Sequence, residues 1–143
     1  VSVFEKILVP LDGSEHSLHA LEKAVQIAKK FNGKITLIHV YYIRYGSFTL
    51  TSIQVDRYVQ DIHKSGKAIL ADGEKKVKAE GVKVETILKE GHNVDEILKT
   101  ARDGNFDLIV IGARGISKLK EILLGSVSHG VTNHATCPVL VVK

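Results

Sequence analysis

The sequence predicts an α/β fold, a doubly wound open sheet of parallel strands with helices on both faces. Two observations carry this expectation. Short apolar runs at 6–11 (KILVPL), 34–40 (KITLIHV), 106–112 (FDLIVIG) and 138–142 (PVLVV) have the continuous hydrophobicity of strands buried on both sides. Between them lie longer segments with helical spacing, and strands alternating with helices imply right-handed crossovers between parallel neighbours. A length of 143 residues suits one core and one domain, 1–143, and 44% hydrophobic against 25% charged residues places the chain with folded globular proteins, not disordered ones.

The first strand, 6–11, ends in Asp12-Gly13-Ser14, a turn in which Ser14 is a candidate N-cap. Leu18, Leu21, Val25 and Ala28 then recur on one helical face, with Glu15 in the first turn, Lys29 and Lys30 in the last, and Asn32-Gly33 as the stop. The β-branched run 34–40 is the second strand, followed by a loop from Tyr41 to Ser52. A long helix is expected from about Ile53 to Ala79, with Gly81 as its terminator. Gly66 and Gly73 lie inside it; each costs about 1 kcal/mol against alanine, and their seven-residue separation places them on one face, which points to close approach of helix to sheet.

VKVETIL, 82–88, is less apolar and is expected as an edge strand. Asn93 and Glu96 have the spacing of a capping box, opening a helix to about Arg102 that ends at Asp103-Gly104. FDLIVIG, the most hydrophobic run, should be central. Ser126 to Ala135 can form the last helix, before the strand at 138–142.

Several classes of function are disfavoured. No apolar run approaches the roughly 18 to 20 residues that span a bilayer, so no membrane partner is expected. The start, VSVFEKILVPLDG, has no signal-peptide pattern, and the one cysteine, Cys137, cannot form an internal disulfide; both point to the cytoplasm. The formal charge of +4 is spread through alternating-sign stretches such as GEKKVKAEGVKVE, without an arginine-rich run or an RNA-binding aromatic motif, so no nucleic-acid partner is expected. His129 and His134 are five apart, where a helical metal pair needs three or four, and they are read as surface or interface residues. His39 is read as a hydrogen-bonded core histidine and Cys137 as an inert thiol. Tyr41, Tyr42, Tyr45 and Tyr58 cluster around the loop after the second strand, where packing of a lid or a dimer contact is favoured over stacking on a ligand.

In open α/β sheets a ligand sits beyond the carboxyl ends of the strands, where the strand order reverses. Two loops with suitable chemistry leave strand ends: Asp12-Gly13-Ser14, and Gly112-Ala113-Arg114-Gly115. Glycine directly after a strand admits a ligand to the backbone amides, and Arg114 has the planar fork that phosphate oxygens accept. Gly125-Ser126 begins a helix whose first amides lack internal partners, with the Ser126 and Ser128 hydroxyls as further donors. The plainer readings are an ordinary turn at the glycines, a surface salt bridge for Arg114 and helix capping for Asp12.

Gly112-x-x-Gly115-x9-Gly125-Ser126, together with KILVPLDGS, GHNVDEI, FDLIVIGARG and the terminal CPVLVV, resembles the universal stress protein family, in particular its ATP-binding branch, over essentially the whole chain. The resemblance implies five parallel strands in the order 3-2-1-4-5, a Rossmann-like arrangement, with a nucleotide between strands 1 and 4. It implies Asp12 at the ribose or adenosine side, and Val40 with the backbone near Pro10 and Leu11 around the adenine. Ile111 and Gly112 would lie along the nucleotide, with Arg114, Gly115, Gly125, Ser126, Val127 and Ser128 at the phosphates. It also implies a homodimer in which strand 139–142 pairs antiparallel with its copy.

The leading expectation is therefore an ATP-binding stress-response protein that acts as a nucleotide-dependent regulator or chaperone-like partner, with Mg²⁺ or Mn²⁺ carried on the phosphates. No nucleophile elbow and no acidic cluster beyond Asp12 argue for turnover. The alternatives are a slow ATPase or nucleotidyl-transfer enzyme using Asp12 in the same crevice, and an interaction module without nucleotide.

Overall fold

The turn after the first strand sets the fold in motion. In the computed structural model, which describes residues 3–44, 51–115 and 124–143, strand β1 (Lys6–Pro10) runs into Asp12-Gly13-Ser14, with Gly13 at φ +85°. A side chain at 13 would be strained in that left-handed region. Ser14 then caps helix α1 (Glu15–Phe31), its hydroxyl accepting the Ser17 amide at 3.2 Å. Asn32 closes the helix in the left-handed conformation.

Strand β2 (Lys34–Tyr41) pairs parallel with β1, Ile7 opposite Ile35. Helix α2 (Ser52–Ala79) returns the chain to strand β3 (Val84–Glu90), helix α3 (Asn93–Asp103) crosses to strand β4 (Leu108–Gly112), and helix α4 (Ser126–His134) leads to strand β5 (Val139–Val142). The sheet order is β3-β2-β1-β4-β5, so the reversal falls between β1 and β4, as the family resemblance implies. Every residue of β4 is buried, whereas β3, at one edge, carries an exposed polar face.

Alternate residues divide the core in two. Ile7, Val9, Ile35, Leu37 and Val110 pack against Leu21, Val25, Leu70 and Val77 of α1 and α2. Leu8, Ile38, Val40, Ile109 and Ile111 face Ile97, Ala101 and Val131 of α3 and α4. Helices therefore cover both faces, and the period-two alternation of each strand decides which pair it meets.

The structure corrects several boundaries. The third strand begins at Val84, not 82, because Gly81 turns with φ +74° and the Val82 amide still bonds the Val77 carbonyl, finishing the helix. The fourth begins at Leu108 because Asp107 folds back, its carboxylate accepting the Glu5 and Lys6 amides at 3.1 and 3.0 Å. Asn93 is not the cap of α3; His92 is, without a side-chain bond, and the Glu96 side chain lies against Gly91 instead of bonding back to the helix start. The capping box belongs to α2, where Thr51 and Gln54 exchange side-chain bonds.

Gly66 and Gly73 do bring α2 close to the sheet. A Cβ at Gly66 would lie 2.8 Å from both His39 Cδ2 and Leu88 Cδ1, and one at Gly73 would lie 2.6 Å from Leu11 Cδ1 and 3.0 Å from Leu37 Cδ1. Alanine at 73 gains about 1 kcal/mol of helix propensity but overpacks a site where such insertions cost about 1–3 kcal/mol. Gly73→Ala is expected to lower stability by about 1 kcal/mol in urea denaturation; a gain in stability would mean that the helix can lift from the sheet at little cost.

Candidate functional site

A cavity of about 310 Å³ opens at the carboxyl ends of the strands, where β1 and β4 diverge. The exit of β1 contributes Pro10, Leu11 and Asp12, and the end of β2 contributes Val40. The exit of β4 contributes Ile111, Gly112, Arg114 and Gly115, and the start of α4 contributes Gly125, Ser126, Val127 and Ser128. The structure thus gathers in one cavity the twelve residues that the family resemblance assigned to a nucleotide. It adds Ser17, Ile38, His39, Asn93 and Ile97.

For Ile38, Asn93 and Ile97 the spacing gives a shared face, though not the meeting of the two elements; Ser17 had no such signal. Ile38 is two residues from Val40 and must share its face, while Ile97 and Asn93 are four apart on one side of α3. His39 points to the other face, yet its Nδ1–H donates to the Leu11 carbonyl at 2.7 Å, which ties β2 to the loop carrying Asp12.

The glycines of the long motif have partners within the chain. A Cβ at Gly112 would lie 2.7 Å from the carbonyl carbon and 2.8 Å from the carbonyl oxygen of His16, backbone atoms of the first turn of α1 that cannot swing aside. A Cβ at Gly115 would run into Asp12 Oδ2. Asp12 does not cap α1; its Oδ1 accepts the Ser14 amide at 2.9 Å within the turn, and its other oxygen rests on Gly115.

Gly125 joins the two halves of the motif. Its amide donates to the Ala113 carbonyl at 2.7 Å, and the Ser128 hydroxyl lies 2.8 Å from both the Gly112 and the Ala113 carbonyl oxygens. Ser128 is buried, and its single hydroxyl proton is engaged there. The hydroxyl expected as a phosphate donor is thus engaged by the protein's own backbone. Residues 116–123, between the two halves, lie outside the described residues.

Helix starts divide into capped and open ones. α1 and α2 satisfy their first amides with Ser14 and Thr51, whereas α3 and α4, whose starts line the cavity, have no side-chain cap bond. α3 carries Asp95 and Glu96 in its first turn; α4 carries no acid there. The positive end of the α4 dipole is therefore unopposed, beside Arg114, and is the end of the cavity suited to an anion. Ile38, Val40, Ile97 and Ile111 also line the cavity and belong to one apolar cluster. Among the described residues Asp12 is the one acid in the lining, and no group of three or more His, Cys, Asp or Glu is gathered that could hold a metal ion.

The remaining candidates lie away from this chemistry. The Tyr41 hydroxyl sits 2.6 Å from His63 Nε2, with burial and then the Glu90 carboxylate holding its phenol above the ordinary value. Tyr42 stacks on His92 with ring centroids 4.7 Å apart, and Tyr58 is part of α2; none of the three lines the cavity, and Tyr45 lies outside the described residues. His129 and His134 are exposed. Cys137 is half-buried against the α3–α4 layer, and burial pushes its thiol up, which favours the neutral, unreactive form.

A family model described as the universal stress protein family matches residues 4–143. The chain belongs to the universal stress protein family. It is 39% identical to the universal stress protein YxiE of Bacillus subtilis over 150 aligned positions, covering 99% of this chain and 100% of that protein. Among solved structures it is similar to the hypothetical protein MJ0577, with a TM-score of 0.86 and 32% identity over 99% of this chain and 96% of that one. It is also similar to a universal stress protein in complex with cAMP, with a TM-score of 0.72 and 28% identity over 100% and 98% of the two chains.

In this family member the Ser128 clasp should be a stability element. Ser128→Ala removes a buried donor shared by two carbonyls, and losing such a bond costs about 1–3 kcal/mol. Chemical denaturation should show that loss. A change within experimental error would mean that the Gly125 amide alone holds the motif together.

Proposed function

We propose that this chain binds an adenine nucleotide in the β1–β4 cavity, ATP with Mg²⁺ or Mn²⁺ on its phosphates, and works as a nucleotide-dependent stress-response regulator or chaperone-like partner. The observation that carries the reading is the polarity of the cavity. The cavity is lined both by the uncapped first turn of α4 with Arg114 and by an apolar set, Ile38, Val40 and Ile97. A nucleotide has the same double character. The cAMP complex of a relative 28% identical to this chain supports the class of ligand.

Regulation is favoured over turnover because the described residues of the lining offer one carboxylate, Asp12, and that carboxylate is already held by the Ser14 amide and Gly115. A general base needs freedom to reach an attacking water. With one acid among the described lining residues, a divalent cation would be held chiefly by phosphate oxygens.

Mass analysis of ligand released from freshly purified, denatured protein should yield an adenine nucleotide. Arg114→Ala should weaken ATP binding by roughly tenfold while changing adenosine binding little, since the lost contact is a charge-assisted one. Absence of released nucleotide together with no thermal shift on adding ATP and Mg²⁺ would overturn the reading. Hydrolysis well above background and abolished by Asp12→Ala would turn it into an enzyme.

We also propose a homodimer through β5. The strand is at the edge of the sheet, its sequence VLVV is wholly apolar, and Leu140 is exposed. Such an edge invites pairing unless it is covered. Light scattering should give twice the chain mass, and Leu140→Lys should shift the population toward the monomer; a wild-type monomer would dismiss the dimer.

A further inference from the structure

Strand β2 keeps its two neighbours for different lengths. Its ladder with β3 runs on through Tyr41, whose carbonyl takes the Gly91 amide at 2.8 Å, whereas its register with β1 ends at Ile38 opposite Pro10. One further bond follows, from the Leu11 amide to the Ile38 carbonyl at 2.8 Å. In a parallel ladder alternate residues turn their amide and carbonyl to the same neighbour. The Val40 amide therefore faces β1 as Ile38 does, and the next acceptor in line for it is the Leu11 carbonyl. Among the described residues that bond is not made.

A side chain takes the carbonyl instead. His39 Nδ1 lies 2.7 Å from the Leu11 oxygen, and since a carbonyl only accepts, Nδ1 carries the proton. Helix α2 holds the ring in this pose: a Cβ at Gly66 would lie 2.8 Å from His39 Cδ2 and 3.4 Å from Nε2, so the glycine makes room for the imidazole. Val40 itself is buried and lines the cavity. A buried main-chain donor without a protein partner is rare and costly, so an open one at a cavity wall calls for a reason.

We propose that His39 is a positioning residue of the nucleotide site: its imidazole draws the Leu11 carbonyl out of the β1–β2 ladder, so that the Val40 amide stays open toward the cavity as a donor to the bound ligand. This rests on the nucleotide reading above for the identity of the ligand. The open amide is a property of the chain alone, and no protein bond has to break before it can donate.

Amide hydrogen exchange of the intact, ligand-free protein, followed residue by residue by NMR, tests the ladder. In the wild type the Val40 amide should exchange roughly tenfold or more faster than the Leu11 amide, which is bonded to Ile38. His39→Leu frees the Leu11 carbonyl, and the Val40 amide should then slow toward the Leu11 rate. Calorimetric titration with ATP should show roughly fivefold weaker binding in that variant, the scale of one hydrogen bond. His39→Asn, whose side-chain nitrogen can stand in for Nδ1–H, should restore both the fast exchange and the affinity. Equal protection of Val40 and Leu11 in the wild type would overturn the proposal, as would unchanged exchange or unchanged ATP affinity in His39→Leu. Failure of His39→Asn to restore them would make His39 a packing residue and overturn the positioning role. A wild type that binds no ATP would bring down the nucleotide reading, while the exchange comparison would still decide whether His39 holds the ladder open.

Discussion

A sheet whose strands all run the same way must release every strand at one edge, and the site of this protein is a consequence of that constraint. With the order β3-β2-β1-β4-β5, the chain leaves β1 toward one face and β4 toward the other. The exits part, and a crevice opens that no side chain of the core fills. Everything else at the site is a device for lining that crevice without letting it collapse.

The lining is built from backbone more than from side chains. Asp12, Ser128 and His39, which by residue type would pass for ligand contacts, each make a hydrogen bond to a neighbouring main chain. Their work is to hold carbonyls and amides in place so that the first turn of α4 faces inward. Low-dielectric surroundings make such bonds strong when satisfied and costly when one partner is removed, which is why the site should be rigid before a ligand arrives.

Much of this was legible in the sequence because local and global signals agreed. The Asp12-Gly13-Ser14 turn, the cap at Ser14 and the paired glycines 66 and 73 were read correctly, since each rests on a short-range rule that packing then reinforces. The reading failed where two rules competed. Asn93 and Glu96 have the spacing of a capping box, but Gly91 lets the chain enter the helix one residue sooner, and Asn93 moves from cap to first turn. Thr51 and Gln54 were missed for the opposite reason: the box lies at the end of an aperiodic loop with no apolar rhythm to draw attention to it. The added lining residues Ile38 and Ile97 needed the three-dimensional meeting of β2 and α3, which no spacing within either element reveals.

Gly112 has an implication for reading sequences of this kind. Its hydrogen faces the backbone of His16, so any larger residue must push α1 away from β4 whether or not a ligand is present. A chain of this fold would be held to glycine there by folding alone, whatever the crevice held. The glycine rhythm is thus a signature of architecture first, and it would outlast any change in what the crevice holds.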